Sequence, residues 1–502
     1  MMTAKQQSFI KSLSLVLEGF QVLPSEYDVK VNNLVLDSRK VMQGDLFIAI
    51  NGEEVNGIDY INAAVKAGAV AVLWDSPVDS IPYSWSSINK NVPVIAVVNL
   101  KEKLGELVSR FYNEPSRKLD IVGVTGTNGK TSCVNFIAQA LADDKKCGLI
   151  GTLGTGIYPE IAKGTHTTPD VITVHKTLSD FVRQNASHSA IEVSSHALTQ
   201  GRVDAVQFNT AIFTNLTQDH LDYHGTMDAY LNEKLKLFQL SELQKAIINS
   251  DDPGAGDVIA AAKGKKVITY STKDSNTTAD LFASNIQFNN DITKFVLNTQ
   301  KGSVSVETYL VGDFNISNLL AVSAYLIEQG YSLELISQKI KSMKPVEGRM
   351  QKIETPGAAT IIIDFAHTPD ALEKVLKTLR EKFSGKLTCV FGCGGERDKE
   401  KRSQMGSIAE EYADLIVLTN DNPRGESAEA IVSQIEQGIV NKENVIIELD
   451  RKKAIAKAIG NTATTGCVLI AGKGHENYQI IGHKKINFSD VDAAREVLRN
   501  KR

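Results

Sequence analysis

Residues 119–126, LDIVGVTG, run into Thr127-Asn128-Gly129-Lys130-Thr131 and then into SCVNFIAQALAD, and this junction constrains the fold more than any other part of the chain. A short apolar run of this kind is expected to be covered on both faces, as in a strand inside a mainly parallel sheet. The following segment is amphipathic at helical spacing, so the loop between them joins a buried strand to a helix. A glycine-bearing turn at that place exposes successive backbone N–H groups, and the helix N-terminus adds partial positive charge. Gly126, Thr127, Asn128, Gly129, Lys130, Thr131 and Ser132 therefore form a candidate phosphate loop. Lys130 is placed to reach β/γ-phosphates, and the Thr131 hydroxyl to bind Mg2+. The match to the strict GxxxxGK[ST] pattern is incomplete, because Val124 stands at the first glycine position, flanked by Gly123 and Gly126. Such a loop indicates a nucleotide and leaves the reaction open.

The strand–helix alternation extends along the chain. In residues 1–112, GDLFIAI, AVAVLW and VPVIAVV have strand composition, and INAAVKAGA between them reads as a helix. Tyr112-Asn113-Glu114-Pro115-Ser116-Arg117 is the expected linker, since Pro and polar residues cannot extend the preceding helix. After the loop, SAIEVS, TAIFTNL and KAIINS continue a parallel sheet covered by helices. Residues 265–311 change character: KKVITYS, IQFN, KFVLN and SVSVETYLV are β-rich with polar turns, and the helix NLLAVSAYLIEQG closes the region. A boundary is expected near Lys344-Pro345-Val346-Glu347-Gly348. Beyond it TIIIDF, KLTCVFG, DLIVLT, NVIIEL and GCVLIAG alternate with helical segments. A chain of 502 residues exceeds one core, and at about 150 residues per domain three are expected. The expected fold class is α/β in three domains: 1–112, a mainly parallel-sheet P-loop domain at 113–344, and a Rossmann-like α/β domain at 345–502.

Composition excludes several classes. With 42% hydrophobic and 23% charged residues the chain is neither disordered nor a membrane protein. A formal net charge of −4 gives no general electrostatic case for nucleic acid, so anionic substrates need local cationic sites. No signal peptide is visible at MMTAKQQSFIKSL, and no apolar run approaches the roughly 18 residues of a transmembrane helix, so a cytoplasmic location is expected. Five cysteines without CxxC spacing read as reduced, buried thiols rather than a disulfide framework or zinc site.

Polar residues gather where strands end, which is where open α/β sheets bind ligands. Glu192 follows Ala190-Ile191, and its hard oxygens suit Mg2+; in isolation it is equally an ordinary exposed glutamate. Asn215-Leu216-Thr217-Gln218-Asp219-His220-Leu221-Asp222-Tyr223-His224 carries two His and two Asp after the strand TAIFT. Lys234, on DAYLNEKLKLF, taken alone reads as a solvated lysine. Further on come Asp364-Phe365-Ala366-His367-Thr368-Pro369-Asp370, then Gly392-Cys393-Gly394-Gly395-Glu396-Arg397-Asp398. Asp421-Asn422-Pro423-Arg424 and Gly472-Lys473-Gly474-His475-Glu476 complete the set.

In combination, GTNGKT, EVSSHAL, NLTQDHLDYHGT, DFAHTPDAL, FGCGGERDKEKR, DNPR and GKGHE resemble the Mur ligase family over nearly the whole chain, from Leu36-Asp37-Ser38-Arg39 to GKGHENYQ. The resemblance implies a uridine-nucleotide domain, an ATP domain and a domain that brings the amino acid. It implies ATP-driven activation of the D-glutamate carboxylate of UDP-MurNAc-L-Ala-D-Glu as an acyl phosphate, attacked by an amino acid amine. Lys130, Glu192, His220, Lys234 and Asp364 would be the catalytic set. Thr131, Glu192, His220 and Lys234, carbamylated in the family, would surround Mg2+. Asn315 in GDFNISN would contact adenine, with Arg349 near the nucleotide. Leu36 and Ser38 match the uridine-side loop, and Thr167, Thr168, Ser194, Gln200 and Arg202 the muramoyl-dipeptide contacts; Glu53-Glu54-Val55 aligns with another part of that site and departs from the family's usual forms.

DNPR typifies family members that accept meso-diaminopimelate. The distal carboxylate can take two parallel hydrogen bonds from Arg424, and Glu476 can pair with the distal ammonium. Arg397 would hold the other carboxylate, and Asp421, Asn422, Pro423 and Gly472 complete that site. A monomer without nucleic-acid or membrane partners is expected. The alternatives are the same ligase using L-lysine, a folylpolyglutamate-synthase-like ligase, and a nucleotide-binding scaffold that has lost catalysis.

Overall fold

The computed structural model describes residues 9–52, 56–76, 92–164, 166–273, 278–289 and 292–500. An antiparallel pair, β1 (Lys11–Ser12) and β2 (Lys30–Val31), precedes a four-stranded parallel sheet of β3 (Asn33–Val35), β4 (Asp45–Ala49), β5 (Ala71–Ser76) and β6 (Val94–Val98). The helix Leu100–Phe111 closes it with a row of Leu100, Leu104, Leu107, Val108 and Phe111, the spacing of one helical face. The expected linker is packed rather than loose. Tyr112 is 1% exposed and donates its hydroxyl to Asn33 Oδ1 at 3.0 Å, and Pro115 opens the 3-10 turn Pro115–Lys118.

The central sheet has eleven strands in the order β10-β9-β8-β11-β7-β12-β13-β14-β15-β16-β17. In chain order they are β7 (Asp120–Thr125), β8 (Cys147–Gly151), β9 (Gly154–Ile157), β10 (Glu160–Ala162), β11 (His188–Glu192), β12 (Thr210–Phe213), β13 (Lys245–Asn249), β14 (Lys266–Ser271), β15 (Leu281–Asn289), β16 (Ile292–Thr299) and β17 (Gly302–Thr308). The strands from β8 to β15 in this order run parallel, and the β-rich region foreseen at 265–311 extends the same sheet through antiparallel partners.

Strand periodicity explains the double covering. Val122, Val124, Ile212 and Ile247 face the helices Lys130–Leu141 and Asp313–Glu328. Their neighbours Ile121, Ala211, Phe213, Ala246 and Ile248 face Val171–Arg183, Met227–Gln239 and Ala255–Ala261. Gly123 belongs to this second face; a Cβ there would run into the Phe208 ring, so it serves packing and lies outside the phosphate loop.

The third sheet has six strands, β18 (Gln351–Ile353), β19 (Thr360–Asp364), β20 (Leu387–Phe391), β21 (Leu415–Leu418), β22 (Val445–Ile447) and β23 (Cys467–Ala471), in the order β18-β19-β23-β20-β21-β22. All but β18 pair in parallel. Its helix Pro369–Lys382 starts where Thr368 accepts a hydrogen bond from the Ala371 N–H with Pro369 next, and buries Leu372, Val375, Leu376 and Leu379. A hairpin of β24 (Tyr478–Ile481) and β25 (Lys484–Asn487), not foreseen, follows β23. All five cysteines are buried and free, and among the described residues no helix is long and apolar enough to cross a membrane.

Candidate active site

β7 lies between β11 and β12 although the chain visits β8 first, so the sheet's topological switch falls at the carboxyl end of β7. The loop that leaves it needs glycine: Gly126 has φ 143° and Gly129 φ 91°. The loop after β12 pins its backbone. Asn128 N donates to Asn215 Oδ1 at 2.9 Å, while Thr214 Oγ1 and Asn215 Nδ2 donate to Asn128 O at 2.6 and 3.1 Å. Lys130 folds over this cradle, its Nζ donating to Gly126 O at 2.7 Å and Thr127 O at 2.8 Å. Burial lowers its pKa, opposed by Glu192 and Asp219 nearby.

Glu192, at the end of β11, is completely buried and is no ordinary surface glutamate. Its Oε1 accepts from Thr152 N at 2.8 Å, and its Oε2 from Thr131 Oγ1 at 2.9 Å and Thr152 Oγ1 at 3.0 Å. Burial raises its pKa, and these donors with Lys130 counter the rise. From the far side Arg349 donates to Thr131 Oγ1 at 3.2 Å, its guanidinium over the Phe365 ring at 4.4 Å. Asp364, at the end of β19, accepts from Met350 N at 2.6 Å and Ala366 N at 2.8 Å; burial raises its pKa and Arg349 opposes this.

Lys234 corrects the solvated reading of its sequence. It is 1% exposed and occupies one position of the buried row Tyr230, Lys234, Leu237, Phe238. The i, i+4, i+7, i+8 spacing was the available signal: a lysine in a core stripe. Its Nζ lies 4.1 Å from the Tyr230 ring centroid. Burial, with Lys130 adding to it, drives its pKa well below the ordinary lysine value. Burial likewise lowers His220 to about 3, and its ring meets those of His196 and Tyr230 edge-on.

The β19–β23 unit closes on this site through polar contacts. Asp219 lies 3.3 Å from Lys401 Nζ and 3.4 Å from His367 Nε2. Burial would raise its pKa, but Lys401 and these histidines hold it well below the usual carboxylate range. Gln218 donates to Asp398 at 3.1 Å and Asn128 to Asp370 at 3.1 Å. Asp219, His367, Asp370 and Lys401 were not singled out as individual site residues, though each sits inside or beside a motif that was. A partly open cleft of about 620 Å³ is lined by the loop together with Glu192, His220, Arg349, Asp364 and His367. An apolar recess of about 260 Å³ adjoins it, lined by Phe136, Val311, Asn315, Val346 and Arg349. Asn315 is held there by donating to Val311 O at 2.8 Å.

The residues matched to a nucleotide-sugar peptide fall in two places. Leu36 and Ser38 line a cleft of about 760 Å³ between the first sheet and the helix Val171–Arg183, with Arg39, Tyr60, Thr173 and Lys176. Thr167, Thr168, Ser194, Gln200 and Arg202 form one network next to Glu192. Thr168 Oγ1 donates to Glu192 O at 2.6 Å, and the Thr152 and Thr167 hydroxyl oxygens lie 3.0 Å apart. Ser194 N donates to Thr168 Oγ1 at 3.2 Å, and Arg202 to Thr168 O at 2.8 Å and Gln200 Oε1 at 2.6 Å. Glu53-Glu54-Val55 lie outside the described residues.

At the carboxyl ends of β20, β21 and β23 the remaining loops converge. Arg424 takes a left-handed φ of 52° and donates to Gly395 O at 2.7 Å. Arg397 is exposed and near enough to lower the Arg424 pKa after burial does so. Asn422 donates to Glu476 Oε2 at 3.0 Å, Pro423 is buried, and a Cβ on Gly472 would stand 2.6 Å from Asp421 Oδ2. Glu476 already has a cationic partner, the fully buried Lys473 at 2.7 Å, which the expected pairing of Glu476 with a substrate ammonium does not include.

Three family models match: "Mur ligase family, catalytic domain" at residues 30–112, "Mur ligase middle domain" at 124–326, and "Mur ligase, glutamate ligase domain" at 348–474. The UDP-N-acetylmuramoyl-L-alanyl-D-glutamate--2,6-diaminopimelate ligase of Coxiella burnetii is 44% identical over 476 residues, 94% of this chain and 96% of the relative. That of Pseudomonas aeruginosa is 42% identical over 481 residues, 95% and 97% of the two chains. A solved structure of an enzyme of the same name superposes with TM-score 0.69 at 34% identity, covering 98% of this chain and 99% of the other. A Thermotoga maritima MurF ligase in complex with ADP shares the fold, with TM-score 0.64 at 17% identity over 96% and 100% of the chains.

Proposed function

The chain belongs to the Mur ligase family, and we propose that it joins meso-2,6-diaminopimelate to UDP-N-acetylmuramoyl-L-alanyl-D-glutamate at the expense of ATP. The observation that carries this reading is the meeting in one cleft of the phosphate loop, buried Glu192, and Arg349 and Asp364 from beyond residue 344. We divide the chain into a nucleotide-sugar domain at 1–112, an ATP domain at 113–344 and an amino-acid domain at 345–502.

A carboxylate is a poor electrophile. One oxygen of the D-glutamate carboxylate attacks the γ-phosphorus in line, and the bond to ADP breaks. The acyl phosphate so formed has a good leaving group. The neutral amine of diaminopimelate adds to its carbonyl carbon, the tetrahedral intermediate expels phosphate, which takes up the proton released from nitrogen, and an amide remains. Lys130 and Arg349 supply cations where negative charge gathers during phosphoryl transfer. Asp364, bonded to the N–H groups of Met350 and Ala366, fixes the chain just after Arg349 and Phe365. Exclusion of water matters, because an acyl phosphate hydrolyses; the polar contacts around Asp219 close the cleft. Asn315 lies in the recess that takes adenine.

The donor set fits a hard divalent cation. The Thr131 hydroxyl and the Glu192 carboxylate lie 2.9 Å apart beside the loop. Among the described residues no three His, Cys, Asp or Glu side chains gather to hold a metal by themselves. A magnesium ion would be held by Thr131, Glu192, His220 and a carbamylated Lys234, and would neutralise the two anions that must meet. The neutral Lys234 amine is the form that adds to CO2, making an N–C bond and releasing one proton. Labelled 13C-bicarbonate should therefore give a carbamate carbon resonance that Lys234→Met lacks, and the variant should lose roughly 10–100-fold in turnover. An unmodified lysine in a fully active enzyme would exclude the carbamate.

Arg424 favours diaminopimelate over L-lysine: lysine leaves its guanidinium without a carboxylate, at about 1–3 kcal/mol for a desolvated charged group. We infer a monomer working in the cytoplasm on soluble precursors, without nucleic-acid or membrane partners. The test is phosphate release with ATP, Mg2+, the UDP-linked dipeptide and a panel of amino acids. Release is expected with meso-diaminopimelate. Release with L-lysine instead would overturn the amino acid assignment, and none with any amino acid would overturn the ligase.

A further inference from the structure

The loop that carries Arg424 is held from behind by the β24–β25 hairpin. Arg424 N donates to Ile480 O at 3.1 Å, and Arg424 O accepts from Gly482 N at 2.8 Å, on either side of its left-handed bend. Asn422 Oδ1 accepts from Ile480 N at 3.0 Å. Gln479, 9% exposed, donates its Nε2 to Asp421 O at 2.9 Å and to Asn420 O at 3.4 Å. From the other side the fully buried Arg451 donates to Asn420 O at 3.2 Å and to Ala471 O at 2.8 Å, while Asp490 neutralises it.

We propose that Gln479 is a positioning residue for amino acid choice, holding the Asn420–Asp421 carbonyls so that Arg424 presents its guanidinium to the distal carboxylate of the substrate. The other bonds from the hairpin to this loop run through hairpin main-chain atoms, which substitution leaves in place. Gln479 is the hairpin side chain that joins it. Without its amide donor the Asp421 carbonyl loses its side-chain partner and Asn420 O one of two, so the segment leading into the bend gains freedom and the guanidinium is aimed less closely, although the main-chain bonds at Arg424 remain. Arg451 remains on the opposite side, so the fold of the sheet is kept while the loop's aim is not.

This inference rests on meso-diaminopimelate being the substrate, so wild-type turnover with it is measured first. Gln479→Met keeps the volume and removes the donor; Gln479→Glu keeps the shape and turns a carboxylate oxygen toward two carbonyls. In Gln479→Met the KM for meso-diaminopimelate should rise roughly tenfold, with preference over L-lysine falling alongside, while KM for ATP and for the UDP-linked dipeptide stay as in wild type. Gln479→Glu should show the larger rise. An unchanged KM for meso-diaminopimelate in both variants would overturn the role of Gln479 alone. So would a parallel rise in all three KM values with a lowered Tm, which marks a merely structural residue. A wild type active only with L-lysine would overturn the functional reading instead, and this role with it.

Discussion

Lys130→Ala should lower the turnover of ATP-dependent product formation by about 10²–10³-fold, the usual loss when one fixed electrostatic partner is taken from a transition state. The amine is placed for it: Nζ rests on the Gly126 and Thr127 carbonyls at the mouth of the loop, and phosphate oxygens are stronger acceptors than those amides. Burial lowers its pKa in the absence of a ligand, and the charge of a bound triphosphate reverses that tendency. The variant should keep its stability, because the lost bonds satisfied the lysine itself. Single-turnover phosphate release, with thermal unfolding as the control, checks this. Full turnover in the variant would show that the loop binds nucleotide without driving the chemistry.

Arg424→Ala should lower kcat/KM for meso-diaminopimelate by about 10²–10³-fold, in the range for removing one charged partner of a bidentate pair, and leave KM for ATP unchanged. On the proposed reading the two head groups of the substrate would meet different surroundings: one carboxylate would face Arg424 and the other Arg397, and the distal ammonium would share Glu476, which Lys473 already pairs at 2.7 Å. With Arg424 gone, L-lysine no longer leaves a charge unpaired, so the ratio between the two amino acids should collapse toward unity. Competition assays with both amino acids measure that ratio directly. A variant that still prefers meso-diaminopimelate by the wild-type factor would remove Arg424 as the source of selectivity.

The fold was legible wherever apolar periodicity was strong. TIIIDF, KLTCVF and GCVLIAG are continuous because both faces of their sheet are covered, and each became a strand. Short elements were not legible. β24 and β25 are four residues each with polar neighbours, and their partner is a loop rather than a sheet. At Tyr112–Arg117 a proline and polar residues outweighed one aromatic, although that aromatic is what packs the segment. The site divides likewise. Glu192 and the glycine loop stand at strand ends and could be placed from local pattern. Lys234 could not, since lysines on helices are ordinarily solvated, and only its register with Tyr230 and Leu237 marks it. Lys401 and Asp219 are separated by 182 residues, and no local pattern reports such a pairing.

That pairing gives the cleft a particular kind of door. The groups that meet across it at Asp219, Gln218 and Asn128 are charged or polar, and each has a ready substitute in water. A greasy seam would cost free energy in proportion to the area pulled apart; a seam of this make is undone mainly by hydration, and dissolved salt screens what attraction remains once it is wet. The same atoms that join the two sides of the cleft are thus the ones that water most easily reclaims when ADP and phosphate have to leave.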